Sequence, residues 1–180
     1  QLLSDPACAV QGVLAAGHVC TVLGDAELRA LVLRHRRPIV ITGFSAEELL
    51  RGIHRCVQQL EKGEHRLENA YTKAVASGGN PGAQALLQRV FEPVDTTWRG
   101  LGTIPDGGYR LRPPFDHLLI DEAHSAEASE GPCPSGLVLQ GLLRPNQCPS
   151  FGRACTPDRP LGAPMVSSEG ACAAYYRYHR

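Results

Sequence analysis

Short apolar runs alternate with amphipathic stretches over the first two thirds of the chain. Residues 6–24 contain two apolar pieces separated by Ala-Ala-Gly-His, which favours a strand, a turn and a second short element. Residues 38–44 read PIVITGF, a β-branched and nearly all-apolar run that predicts a buried parallel strand closed by Gly43. Asp25 precedes AELRALVLRHRR, a helical pattern with its arginines late, where the helix dipole favours cations.

A second helix is predicted after this strand. Ser45 and Glu48 have the spacing of a capping box in front of AEELLRGIHRCVQQLEKG. The helix–strand–helix order predicts an α/β fold, and we expect a Rossmann-like three-layer unit. Cys56 falls beside the apolar positions of this helix and is interpreted as a packing residue. The apolar positions recur at helical spacing: Leu49, Leu50, Ile53, Val57 and Leu60.

The pattern becomes less regular after this helix. Residues 63–80 predict a shorter helical piece followed by a glycine-rich loop. Pro81 opens a further helix, which Pro93 is expected to end. Four glycines surround Trp98 in residues 96–111, so we expect a tight, irregular segment there. No phosphate-binding loop is present, because neither G-x-G-x-x-G after a strand nor G-K-[ST] occurs.

The composition changes at residue 112, where two prolines open an acidic stretch of small, polar residues. We therefore predict an α/β domain at residues 1–111 and a cysteine-rich region at residues 112–180 that is loop-rich and mostly helical. His117 and His124 lie in the polar stretch without a partner at metal-ligand spacing, so both are expected to be exposed.

Composition and charge exclude several classes of function. Among 180 residues, 43% are hydrophobic, which is enough for a buried core. Lys plus Arg and Asp plus Glu number 18 each, so no basic surface for nucleic acid or an acidic membrane is expected. No apolar run is long enough for a membrane span, and no secretory signal opens the sequence. We therefore expect a cytoplasmic location with reduced thiols, and a fragment of a longer protein because the chain starts without Met.

Two positions near predicted loops were considered as candidate site residues. His18 follows Gly17 at a turn, and its simplest interpretation is a loop histidine hydrogen-bonded to backbone. Gly43-Phe44-Ser45 follows the predicted buried strand, at the end where α/β sheets bind ligands. A glycine at that point is also needed simply to turn the chain.

Four of the seven cysteines lie in the last forty-eight residues, with the spacing C-x14-C-x6-C-x16-C. An odd total excludes complete pairing into intramolecular disulfides. Four thiolates satisfy either zinc or an iron–sulfur cluster, and the C-x2-C pairs typical of zinc knuckles and ferredoxins are both absent. Spacing therefore leaves zinc and iron–sulfur open, beside disulfides or unrelated buried cysteines. The four are Cys133, Cys148, Cys155 and Cys172.

The last of these cysteines is predicted to open a final helix. Ser168 has the character of a helix cap, and Glu169 is expected in the first turn. Backbone N–H groups and the helix dipole at that position favour a thiolate at Cys172 over a thiol.

The sequence as a whole resembles the hydrogenase maturation factor family HypD. The resemblance is carried by GHVCTVLG at 17–24, PIVITGF at 38–44, VFEPVDTTWRGLGTIP at 90–105 and, above all, CPSFGRACTPDRPLGAPMVSSEGACAAYYRY at 148–178. It covers nearly the whole chain and corresponds to the later half of a typical family member.

The resemblance implies assembly of the Fe(CN)2CO group of [NiFe] hydrogenase. It implies a redox-active scaffold, in place of a conventional enzyme, that works with a HypC-type chaperone and a HypE-type cyanide donor. The implied cofactors are a [4Fe–4S] cluster as electron supply and a transient iron carrying cyanide and carbonyl ligands. Glu169 is implied beside the cluster, and His18 near the cleft where the iron group is built. The implied cluster ligands are Cys133, Cys148, Cys155 and Cys172.

The chain also departs from the family pattern. The family's reactive cysteines lie in a Cys-Gly-x-His type motif and a G-P-G-C-P-V-C motif, and neither occurs here. No Cys-x-x-Cys is present, so we expect this chain to lack the thiols that hold the nascent iron group. The family's G-F-E-P turn is Gly-Phe-Ser-Ala at residues 43–46, which removes a carboxylate. The alternative function is a non-catalytic interaction module with a structural four-cysteine zinc site.

Overall fold

The computed structural model describes residues 2–98, 100–119 and 133–179. Contacts divide the chain into a sheet unit, Val10–Val90, and a cysteine unit made of Gln1–Ala9 and Phe91–Arg180. The boundary predicted between residues 111 and 112 stays a prediction about domain organisation. Much of the polar stretch, residues 120–132 with His124, lies outside the described residues, and His117 is exposed.

The sheet unit is a mixed α/β structure with a three-stranded parallel sheet, which confirms the predicted α/β class. The strand order is β1-β2-β3, and β2 is hydrogen-bonded on both sides. In chain order the elements are β1 (Val13–Ala16), α1 (Gly17–Leu23), α2 (Ala26–His35), β2 (Ile39–Thr42), α3 (Ala46–Glu61), β3 (Leu67–Asn69) and α4 (Pro81–Val90).

The central strand β2 is buried along its whole length, as its apolar sequence predicts. Ile39 and Ile41 pack into a core with Val32 of α2. Thr42 contacts α3, because its hydroxyl donates to the Glu48 carbonyl oxygen at 2.7 Å. Helices therefore cover both faces of the strand, which explains why a nearly continuous apolar run forms it.

A third strand occupies the stretch for which we predicted a helical piece, so that prediction was wrong. β3 pairs with β2 from Leu67 to Asn69. Gln59 of α3, only 1% exposed, accepts from the Arg66 backbone N–H at 2.7 Å and donates to the Glu68 carboxylate at 2.8 Å. This strand is short and carries charges, and pairing with β2 and the Gln59 side chain hold it in place.

The start of α3 confirms the predicted capping box. Ser45 is the N-cap, its hydroxyl accepts from the Glu48 N–H, and the Glu48 carboxylate accepts from the Ser45 N–H. Asp25 also occupies the N-cap position of α2, but its carboxylate accepts from Arg29 and Ser77, each at 2.9 Å, and not from the helix backbone. The buried residues of α3 are Gly52, Cys56 and Gln59.

The cysteine unit begins with an antiparallel hairpin where we expected the end of a helix and an irregular segment. Both expectations were wrong, because α4 ends at Val90 and Pro93 lies within β4 opposite Tyr109. None of the described helices is long and apolar enough to cross a membrane. The elements of the unit are β4 (Phe91–Trp98), β5 (Gly102–Leu111), α5 (Ser135–Leu139), α6 (Ala163–Val166) and α7 (Ala171–Tyr178), with short 3-10 turns at Leu2–Ser4, Pro113–Leu118 and Pro145–Gln147.

The final helix begins two residues later than predicted. Gly170 is its N-cap, so Ser168 does not cap it and Glu169 precedes it. The Glu169 N–H donates instead to the Ser167 hydroxyl at 3.2 Å. Cys172 lies in the first turn, as predicted.

Candidate functional site

Four cysteines from separate loops and turns line one cavity in the cysteine unit. Cys133 precedes α5, and Cys148 follows the 3-10 turn Pro145–Gln147. Cys155 lies in a loop that folds back on Phe151 through an isolated bridge, and Cys172 lies in the first turn of α7. The shared cavity is lined by Cys133, Cys148, Cys155 and Cys172 together with Pro134, Ser135, Val138, Phe151, Gly162, Pro164 and Met165.

The remaining lining of this cavity is mostly apolar. Cys155 and Cys172 are buried in a hydrophobic core with Met165, against which Val138 and Phe151 pack. Cys133 and Cys148 are half-buried. The space is small, with about 20 Å³ open to the centre of a water molecule. The thiols therefore converge on a nearly dry pocket, where the charge of a thiolate needs a counter-charge or a metal.

Short backbone hydrogen bonds fix the loop that carries two of the cysteines. The Phe151 N–H donates to the Cys148 carbonyl oxygen at 3.0 Å, and the Cys155 N–H donates to the Ser150 carbonyl oxygen at 2.8 Å. The Leu161 N–H donates to the Cys155 sulfur at 3.4 Å. A donor aimed at a sulfur stabilises its thiolate form, as around metal-bound cysteines.

Gly162 gives Cys133 its place in the cavity. A Cβ atom added at Gly162 would collide with the Cys133 sulfur. A Cβ added at Gly170 would in the same way collide with the Pro164 carbonyl oxygen. Both positions require glycine because the backbone approaches a neighbour closely, and side chains there would displace the loop around the thiols.

The thiols affect one another electrostatically. Burial and, after it, the neighbouring Cys133, Cys155 and Cys148 raise the pKa of the Cys172 thiol to about 11. The expected preference for a thiolate at the start of α7 is therefore wrong for the metal-free chain, because desolvation outweighs the helix dipole. A metal that binds here must displace protons from the thiols.

The described residues contain no group of three or more His, Cys, Asp or Glu side chains arranged to hold a single metal ion. They also contain no disulfide, although all seven cysteines lie among them. The four thiols surround a space between them without closing on one point. The ligands of a polynuclear cluster bind different metal atoms, and such ligands lie farther apart than those of one ion.

A second group of candidate residues lies in the sheet unit, at the carboxyl ends of the parallel strands. His18 follows β1, is exposed, and packs against Phe44, which follows β2, with ring centroids 4.9 Å apart. Tyr71 follows β3, and a Cβ added at Gly17 would run into its ring. The predicted turn histidine therefore lies in the first turn of α1, beside the residue that closes the buried strand.

An ion pair lies next to these aromatic residues. The Lys73 Nζ lies 2.5 Å from the Glu48 carboxylate and 5.4 Å from the centre of the Tyr71 ring. The hydrogen bond from Lys73, followed by the Ser45 N–H, lowers the pKa of Glu48 to about 2. The pKa of Lys73 is raised in turn, with Glu48 as the largest cause. Sequence patterns did not indicate this pair, because its partners are distant in the chain.

Comparison with known proteins decides the family. The family model HypD, described as "Hydrogenase formation hypA family", matches residues 1–179. The chain belongs to the HypD family.

Relatives of the HypD family align over most of this chain. Hydrogenase maturation factor HypD of Azotobacter vinelandii is 39% identical over 176 residues, which are 95% of this chain and 46% of that protein. Hydrogenase maturation factor HypD of Escherichia coli (strain K12) is 39% identical over 185 residues, 99% of this chain and 49% of that protein. Hydrogenase expression/formation protein HupD of Azotobacter chroococcum is 39% identical over 176 residues, 95% and 46%. The chain thus spans about half the length of these relatives.

The structure distinguishes among the residues that the HypD resemblance singled out. The four cysteines come together at one cavity, while Glu169 is exposed and is not among the residues that line it. His18 lies in the sheet unit. Sequence reasoning missed Val138, Phe151 and Met165 as lining residues, and the only signal for them was their apolar character among many prolines and glycines.

Proposed function

We propose that this chain takes part in assembling the Fe(CN)2CO group of [NiFe] hydrogenase, as a redox-active scaffold whose four cysteines hold a [4Fe–4S] cluster. Membership of the HypD family supports the role in hydrogenase maturation. The observation that carries the cluster is the convergence of Cys133, Cys148, Cys155 and Cys172 on one apolar cavity.

The donor set fits an iron–sulfur cluster better than structural zinc. Zinc in a four-cysteine site requires all four sulfurs about 2.3 Å from one ion. The described thiols surround a space and do not meet at one point. Four thiolates are also the usual ligand set of a [4Fe–4S] cluster. The apolar lining supports a redox role, because burial and solvent exclusion adjust the potential of such a centre.

The chain's own residues have definable tasks around such a group. When bound, a [4Fe–4S] cluster accepts and donates single electrons. Val138, Phe151 and Met165 would exclude water from the ligand sulfurs. The Leu161 N–H donates to the Cys155 sulfur, and hydrogen bonds to ligand sulfurs raise the potential of such centres. Gly162 leaves room for Cys133 to approach as a ligand.

The cargo and the partners belong to the same proposal. The cargo is an iron carrying cyanide and carbonyl ligands, and the partners are a HypC-type chaperone and a HypE-type cyanide donor in the cytoplasm. The sheet unit, with α2 on one face of β2 and α3 on the other, supports a Rossmann-like arrangement. His18 stands at its carboxyl edge, where open α/β sheets bind ligands, and we assign it to the cargo side. No Cys-x-x-Cys occurs in the chain to hold the cargo.

A pair of cysteine variants tests the cluster assignment. Cys155→Ala removes a thiol of the cavity, whereas Cys56→Ala removes an equally buried thiol that packs in the sheet unit. Each protein is purified anaerobically, and its iron, sulfide and zinc are measured beside its circular dichroism spectrum. We expect Cys155→Ala to lose iron and sulfide, and Cys56→Ala to keep the wild-type content. Equal iron in both variants, or zinc in place of iron in the wild type, would contradict the proposal.

A further inference from the structure

The outer side of α3 carries an apolar stripe that nothing in the described residues covers. The stripe follows the spacing 3-4-3, which is the seam pattern of helices that pack against another helix. The buried positions Gly52, Cys56 and Gln59 lie on a different side of the helix. The exposed fractions are 68% at Leu50, 47% at Ile53, 45% at Val57 and 39% at Leu60.

Strand β1 extends this apolar surface. Leu14 pairs in register with Val40, and partners in a parallel ladder point to the same face of the sheet. Val40 and Thr42 share a face of β2, and Thr42 bonds to α3, so Leu14 lies on the α3 side. Val40 is 0% exposed whereas Leu14 is 38% exposed, because α3 covers β2 more fully than β1.

The charges that flank the stripe argue against a membrane as its partner. Amphipathic helices that bind acidic lipids carry a cationic polar face. Helix α3 carries three acidic and two basic side chains, and Arg51 is already paired with Glu47. A balanced polar face of this kind suits a folded protein surface.

We infer that this apolar face is the docking surface for the half of a HypD-family chain that lies outside the match. The face consists of Leu14, Leu49, Leu50, Ile53, Val57 and Leu60. The relatives are about twice as long as the matched region, so each holds a second body of similar size. A body that packs across α3 and β1 buries the whole face.

A second copy of this chain is a weaker occupant. Helix α3 is roughly 24 Å long and about 10 Å wide, so a pair of such helices buries far less than the roughly 1,200–2,000 Å² of stable interfaces. A partner of domain size reaches that area. This inference rests on the α3 face and the family match, and it is independent of the iron–sulfur cluster.

Thiol labelling tests the inference in intact proteins. Ile53→Cys is made in this chain, and the aligned position is changed to Cys in full-length Azotobacter vinelandii HypD. Both are alkylated with a maleimide, and the rate at that site is followed by mass spectrometry. We expect alkylation in the full-length relative to be slower by roughly tenfold or more, because the docked half buries the site.

Leu33 supplies the matched control. It is 78% exposed on α2, and α2 packs on the opposite face of the sheet. We expect Leu33→Cys and its aligned counterpart to react at similar, fast rates in the two proteins. Equal rates at position 53 would overturn the inference, and so would equal slowing at both positions. Protection of Ile53→Cys in this chain alone, growing with its concentration, would also overturn it, because a second copy would then cover the face.

Discussion

At the scale of the residue, a single missing methyl group determines how closely the loop before α6 approaches Cys133. Gly162→Ala would place a Cβ against the Cys133 sulfur, so the loop or the thiol must move. Overpacking of this kind costs about 1–3 kcal/mol, and we expect the variant to retain less iron than the wild type. Gly78→Ala is the control, because nothing lies within 4 Å of a Cβ there. Iron content and urea unfolding measure both effects, and equal values for the two variants would contradict this role of Gly162.

The Glu48–Lys73 ion pair gives a prediction about acid stability. Lys73 lowers the pKa of Glu48 to about 2, below the usual carboxyl value of about 4.3. A carboxylate with a lowered pKa stabilises the fold above the unfolded pKa, and that stabilisation is lost as pH falls from about 4 toward 2. Unfolding of Glu48→Gln, followed by fluorescence, should therefore depend less on pH in this window than that of the wild type. Glu27→Gln, in the first turn of α2, should retain the wild-type profile. An unchanged profile in Glu48→Gln would refute the assignment.

At the scale of the element, the central strand should contribute most to the stability of the sheet unit. Ile41 is fully buried between β1 and β3, so Ile41→Ala leaves a cavity and should lower the free energy of unfolding by about 2–5 kcal/mol. Leu33→Ala, on an exposed helix position, should change it by less than about 0.5 kcal/mol. Urea unfolding by circular dichroism compares the two. Similar losses would show that β2 is not the core of the unit.

The elements that sequence predicted correctly are those with a local cause. β2 is apolar because both of its faces are covered, and α3 starts at Ser45 because a capping box satisfies its first N–H groups. The hairpin β4–β5 and strand β3 were missed because their cause is not local. β3 depends on β2 and Gln59, and β4 contains Pro93 without clear alternation of polar and apolar residues. Pairing partners distant in sequence leave no periodic signal in the strand itself.

At the scale of the whole molecule, the four cysteines were identifiable as candidates but their convergence was not. Separations of 14, 6 and 16 residues fit many loop paths, and only the folded cysteine unit brings Cys133, Cys148, Cys155 and Cys172 to one cavity. The apolar positions of α3 show the reverse case. Sequence identified them readily, yet a regular stripe does not reveal whether it faces the core of its own unit or another body.

The most direct test of the four-cysteine site is the metal content of the protein purified without oxygen. A [4Fe–4S] cluster held by Cys133, Cys148, Cys155 and Cys172 predicts about four iron and four sulfide per chain and a brown protein. Chelation of a structural zinc site would instead release one zinc per chain and unfold the region. A colourless protein with stoichiometric zinc and no sulfide would contradict the account.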